Sequence, residues 1–246
     1  MRVDADSLPV GPDSSLFADT DALIATALRH NTRLMPVLLD FHLCNPPRVI
    51  DGVQLGGRAH LMTSPQGRAA LIDHVLQPLV ERYANNETIA AWDVMNEPEW
   101  CLDPPRSVPF EALQTFLRMA VERVQAAARQ PVTVGSAGTW RLDLVRPLGL
   151  DFYQVHWYER FGWRALEGPV AALGLDRPVI LGEFSGRSAR VASVLDAAQR
   201  AGYRGALVWS VLADDDQSGY PAEIGRWMRA QADTSLNRGV RRDARS

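Results

Sequence analysis

The stretch TIAAWDVMN, residues 88–96, followed at once by EPEW at 97–100, decides how the chain is read. Its body is almost continuously apolar, the pattern of a strand covered on both faces, yet it ends in an amide and a carboxylate. The same arrangement recurs on either side. Short apolar runs stand at LMPVLLDFH (34–42), PVTVGSA (131–137), LDFYQVHWY (150–158), RPVILGEF (177–184) and GALVWSV (205–211). Longer amphipathic stretches separate them: 19–31, where Asp19 or Thr20 is expected to cap a helix, then 66–84, 109–129, a short one at 140–147, 188–201 and 220–232. In 109–129 the residues Phe110, Leu113, Phe116, Leu117 and Val121 recur at helical spacing. This alternation predicts an α/β chain built as a TIM-type (β/α) barrel, incomplete, with about six recognisable βα units.

One barrel domain is expected over 20–232, with an N-terminal segment of uncertain structure at 1–19 and a disordered polar tail at 233–246. A length of 246 residues and 46% hydrophobic content suit one large core. The basic residues are all arginine, 26 of them against 29 acidic ones. A net charge of −3 without a basic patch argues against a nucleic acid or a membrane surface as partner. No segment is long and apolar enough to span a bilayer, and the first twenty residues carry acids where a signal peptide carries an apolar core. A cytoplasmic protein is therefore expected. Cys44 and Cys101 belong to no metal-binding spacing. They are read as two free buried thiols, with a disulfide as the alternative, since each follows a strand end on the same face.

Five of the six strands end in residues able to do chemistry. They are Asp40 and His42, Asn96 and Glu97, His156 and Tyr158, Glu183, and Trp209 with Ser210. In a parallel barrel all C-terminal strand ends open on one face, where ligand sites are built. Taken singly, Asn96 and Glu97 read as a helix-entry cap, His156 as a core histidine and Trp209 as core filler. Taken together on one rim they are expected to converge, because burying two carboxylates without a use is costly. Two facing glutamates suit glycosidic bond cleavage, in which one carboxylic acid protonates the leaving oxygen and one carboxylate meets the developing oxocarbenium ion. Tyr158 is placed to hydrogen-bond the nucleophile, and Trp209 offers a flat face for a sugar ring. Trp100 and Trp157 are further stacking candidates, each equally readable as packing.

These residues resemble a known family. AAWDVMNEPEW (90–100) is similar to the strand-four signature of clan A glycoside hydrolases, with glycoside hydrolase family 5 the nearest match, a cellulase-like family. PVILGEFSG (178–186) resembles the strand-seven signature, HWY (156–158) strand six, DFH (40–42) the end of strand three, and LVWS (207–210) strand eight with its sugar-facing tryptophan. The resemblance implies a retaining hydrolase of β-linked glycans or glycosides, working by double displacement with no cofactor and no metal. It implies Glu97 as acid/base, Glu183 as nucleophile and Asn96 at the sugar 2-hydroxyl. His42, His156, Tyr158, Trp209, Asp40 and Trp100 would line the substrate, an oligosaccharide or glycoside.

The pattern departs from the family at the N-terminus. If 34–42 is strand three, the residues before it are too few for two βα units, and the family's arginine near strand two has no counterpart. An open side of this kind would suit either pairing with another copy of the chain or a chain cut from a longer gene product. Two other classes fit the residues: a glycan-binding protein that has kept the cleft without catalysis, and a metal-dependent lyase or isomerase with Asp40 and His42 as ligands.

Overall fold

The computed structural model describes residues 1–159, 166, 168–187, 190–212 and 215–231. They divide into two compact units, one of Met1–Val155 with Leu175–Pro178, the other of His156–Gly174 with the chain from Val179 onward. The expected disordered tail at 233–246 lies outside the described residues.

The first unit opens with a small antiparallel hairpin, β1 (Arg2–Val3) and β2 (Pro9–Gly11), so part of the segment left unassigned by its sequence is ordered. Helix α1 (Leu16–Arg29) begins before the expected cap. Ser15 occupies the cap position, and its hydroxyl donates to Asp19 Oδ2 at 2.8 Å. Asp19 thus lies in the first turn, where a carboxylate meets the positive end of the helix dipole. It does not cap.

The run at 34–42 is not a continuous strand. It touches its neighbour at the isolated parallel bridges Leu34↔Ile89, Val37↔Asp93 and Asp40↔Asn96, then turns into a 3-10 helix at Phe41–Cys44. Pro36 explains the interruption, because it has no N–H to give; its carbonyl accepts from Asp93 N at 3.0 Å. The Gly/Pro-rich loop that follows contains a second hairpin, β3 (Arg48–Ile50) with β4 (Val53–Leu55). Asp51 and Gly52 form its turn, both at positive φ (49° and 78°), as an Asp-Gly hairpin requires.

The helix expected at 66–84 is present in pieces: α2 (His60–Thr63), α3 (Pro65–Leu71), a π turn at Ile72–Leu76, and α4 (Gln77–Tyr83). Ser64 caps α3 by accepting from Gly67 N at 3.0 Å. Pro78 accounts for the π turn, since its ring and missing donor disturb the ladder one turn earlier. Tyr83 OH donates to Asp21 Oδ1 and Arg82 Nη2 to Asp21 Oδ2, each at 2.7 Å, fastening α1 to α4.

The parallel βα rhythm then sets in. Strand β5 (Trp92–Asn96), helix α5 (Phe110–Ala127), strand β6 (Val132–Ser136), the short α6 (Leu142–Val145) and strand β7 (Tyr153–Trp157) follow in order. Leu113, Phe116, Leu117 and Val121 of α5 are fully buried, as their spacing predicted. Register fixes heights: Asp40 lies beside Asn96, Asn96 beside Gly135, and Gly135 beside Gln154. At the centre sits Asp93, buried, whose carboxylate accepts from Met95 N and Gly135 N at 3.1 Å each and from Gln154 Nε2. One side chain pins three neighbouring strands.

The second unit starts at the end of β7 and contains β8 (Val179–Ser185), α7 (Val191–Ala201), β9 (Ala206–Trp209) and a helix over 222–231. Strands β8 and β9 are parallel, with Leu181↔Ala206, Phe184↔Val208 and Ser185↔Trp209 in register. Helix α7 buries Val191, Val194, Leu195 and Ala198 and ends on Gly202, whose φ of 97° a side chain would resist. Trp227 Nε1 donates to Asp196 Oδ1 at 2.7 Å, tying the last helix to α7.

Candidate active site

In the first unit the predicted residues fall at the C-terminal ends of the 34–40 segment and of β5. Asp40 organises them. Its Oδ1 accepts from the backbone N of His42 at 2.7 Å and also meets His42 Nδ1. Its Oδ2 accepts from Asn96 Nδ2 at 2.9 Å, which fixes the orientation of that amide. Asp40 therefore holds both His42 and Asn96 in place.

Glu97 follows in the left-handed region, at φ 45° and ψ 50°. For a residue with a Cβ this costs about 1–2 kcal/mol, and such strain persists only where surrounding contacts impose it. Here Glu97 N donates to Gly135 O at 2.7 Å, and the side chain accepts from Trp100 Nε1 at 2.8 Å. The turn is held further by Glu99, buried, whose Oε2 accepts from Ala137 N at 3.1 Å.

Trp100 is part of an aromatic pair that sequence reasoning missed. Its ring lies 5.7 Å from that of Trp140 at 58°, and Trp140 is half exposed. The Trp140 ring rests over Gly138, where a Cβ would come within 2.0 Å of it. The signal was present as an exposed tryptophan two residues after a glycine, just past a strand end. A groove of about 730 Å³ opens beside Asp40 and His42, bounded by Leu43, Arg48 and Val53.

In the second unit Glu183 is the centre. Tyr158 OH donates to Glu183 Oε2 at 2.7 Å, and His156 Nδ1 stands 3.3 Å from the same oxygen. His156 is buried, while the Glu183 side chain keeps 17% of its surface exposed. It is oriented by its neighbours and still open to a ligand. Trp209 is half-buried, the peptide bond that follows it is cis, and its Nε1 donates to Asp215 Oδ2 at 2.8 Å. Asp215 also accepts from the backbone N of Gln217 and Ser218, each at 2.8 Å. The hydrogen bond from the Trp209 indole, with these backbone donors, holds the Asp215 carboxyl below its ordinary value. Nothing in the acidic run at 214–216 singled out Asp215 from sequence. Trp157 is buried within β7, which removes it as a stacking surface.

No protein-family model matches the chain. Among curated proteins it is similar to a mannan endo-1,4-beta-mannosidase of Mytilus edulis, 27% identical over 249 residues. That match covers 81% of this chain, and the chain spans 66% of the length of that relative. Among solved structures it resembles an endo-1,4-beta-mannanase from Eisenia fetida (23% identity, TM-score 0.72, covering 89% of this chain and 72% of that one). It also resembles a beta-1,4-D-mannanase from Cryptopygus antarcticus (21% identity, TM-score 0.74, covering 93% and 73%). The likeness establishes the incomplete (β/α) barrel expected from the alternation of elements. Its strand-end motifs stand in the order found in the clan A glycoside hydrolases, and family 5 of that clan is the group the chain resembles.

Proposed function

We propose that the chain is a retaining glycoside hydrolase that cleaves internal β-1,4 linkages of a mannan-type glycan. Glu97 donates a proton to the glycosidic oxygen as the bond to the anomeric carbon breaks. Glu183 attacks that carbon from the opposite face and forms a covalent glycosyl-enzyme. Glu97, now ionised, takes a proton from water, and the hydroxyl displaces Glu183 to release sugar of unchanged configuration. Asn96, its amide set by Asp40, meets the 2-hydroxyl of the reacting sugar. Trp209 stacks on the sugar bound next to the nucleophile, and His42, Asp40 and Trp100 contact neighbouring rings.

The observation that carries this reading is the hold of Tyr158 and His156 on one oxygen of a partly exposed Glu183. A surface glutamate has no need of two such partners, whereas a nucleophile must meet an anomeric carbon in one fixed direction. The choice of mannan is supported by what the curated relative acts on, as its name states. Release of reducing ends from β-1,4-mannan, glucomannan and cello-oligosaccharides tests it, run beside Glu183→Gln. Cleavage of mannan faster than of cello-oligosaccharides is expected, and its loss in the variant. Binding of all three glycans with no cleavage of any would defeat the proposal.

A further inference from the structure

The 3-10 turn Phe41–Cys44 and the 3-10 turn Pro98–Leu102, which follows Glu97, meet in the first unit. Cys44 Sγ and Cys101 Sγ lie 2.9 Å apart, and both residues are buried, at 4% and 0% exposure. That separation is within about 1 Å of a disulfide bond length of roughly 2.05 Å. These are the two cysteines of the sequence, so no other pairing within it competes. Arg106 clamps the same two turns: its guanidinium stands 5.4 Å over the Phe41 ring, Nη1 donates to Asn45 Oδ1 at 2.8 Å, and Nε donates to Trp100 O. The approach of the sulfurs is thus imposed by contacts that do not involve them. A third sulfur, Met62 Sδ, lies 3.5 Å from Cys44 Sγ. A thiophilic metal ion is the other ligand such a cluster suggests. Two metal–sulfur bonds of about 2.3 Å at a tetrahedral angle would hold the sulfurs roughly 3.7 Å apart, wider than they are.

We propose that Cys44 and Cys101 form an intramolecular disulfide under oxidising conditions, joining covalently the turns that follow the two strand ends carrying Asp40 and Glu97. The two thiols give up two protons and two electrons to a small disulfide such as oxidised glutathione. Its sulfur–sulfur bond breaks, the Cys44–Cys101 bond forms through a mixed disulfide, and two glutathione thiols leave. Contact with Cys44, then burial, pushes the Cys101 thiol up. The folded chain is therefore slow to exchange in either direction. The bond forms while the chain folds or transiently opens, and once made it is shielded from reductant. The inference stands apart from the proposed activity, because its test is chemical.

The test unfolds the full chain and refolds it in glutathione redox buffer, in parallel with refolding in dithiothreitol. Expected are loss of both alkylatable thiols, a mass lower by two hydrogens, and a proteolytic peptide pair spanning Cys44 and Cys101 that dithiothreitol separates. The oxidised form should melt roughly 5 to 15 °C above the reduced one. The Cys44→Ser/Cys101→Ser double variant should show no such difference between buffers. If that variant does not fold, the peptide map of the unsubstituted chain decides alone. Two free thiols after oxidising refolding would overturn the proposal, as would retained glutathione or a bridge between two chains.

Discussion

The hydroxyl of Tyr158 donates to Glu183 Oε2 at 2.7 Å, from the strand end that also places His156 Nδ1 at 3.3 Å from that oxygen. A hydrogen bond to a charged group contributes about 1.5–3 kcal/mol, so its removal changes a rate by roughly 10- to 100-fold. Tyr158→Phe should lower kcat on glycan by that factor while the melting temperature stays nearly constant. An unchanged kcat would mean that the hydroxyl does nothing for the nucleophile.

Glu97 is held by Trp100 and by its own left-handed backbone. As a proton donor it matters most when the leaving group is a poor one. Glu97→Ala should therefore slow polysaccharide hydrolysis by about 10²–10⁴-fold. It should cost far less on an aryl glycoside whose phenolate leaves unaided. Equal losses on both substrates would argue for a structural role.

Trp209 is tied to Asp215, whose carboxyl is held below its ordinary value of 3.8. The contribution of this contact is complete above the unfolded value, near 3.8, and is lost as pH falls through the lower folded value. Above about pH 5 the environment of Trp209 should be constant. As pH falls through that lower folded value, below 3.8, its indole should be released, and the emission difference between the unsubstituted chain and Trp209→Phe reports it. In Asp215→Asn the released signal should already be present at neutral pH.

Asp93 pins β5, β6 and β7 through Gln154 and two backbone amides. Gln154→Leu preserves volume but withdraws one donor from a buried carboxylate. It should cost about 1.5–3 kcal/mol, seen as a melting temperature lower by roughly 3–12 °C. No change on thermal denaturation would show that the strands do not depend on this carboxylate.

What was legible in the sequence were the elements with strong periods and the residues at strand ends. The α5 positions were readable because their burial follows helical spacing. Asn96, Glu97, His156, Tyr158 and Glu183 were readable because they interrupt apolar runs. Three things were not. The 34–42 run looks like a strand by composition, but Pro36 denies it a continuous ladder. The β3–β4 hairpin was hidden inside a loop, although Asp51-Gly52 is the turn such a hairpin needs. Asp40 reads from sequence as a substrate contact. Its bonds to His42 and Asn96 show an organising role that only tertiary geometry reveals.

The most direct measurement of the central claim is covalent trapping. A 2-deoxy-2-fluoro mannoside with a good leaving group forms the glycosyl-enzyme and hydrolyses it slowly, so the adduct survives proteolysis. Mass spectrometry should find one added fluorosugar, on the peptide containing Glu183, with none on the Glu183→Gln variant. Label on another residue, or turnover of mannan with inverted configuration and no adduct, would contradict the assignment.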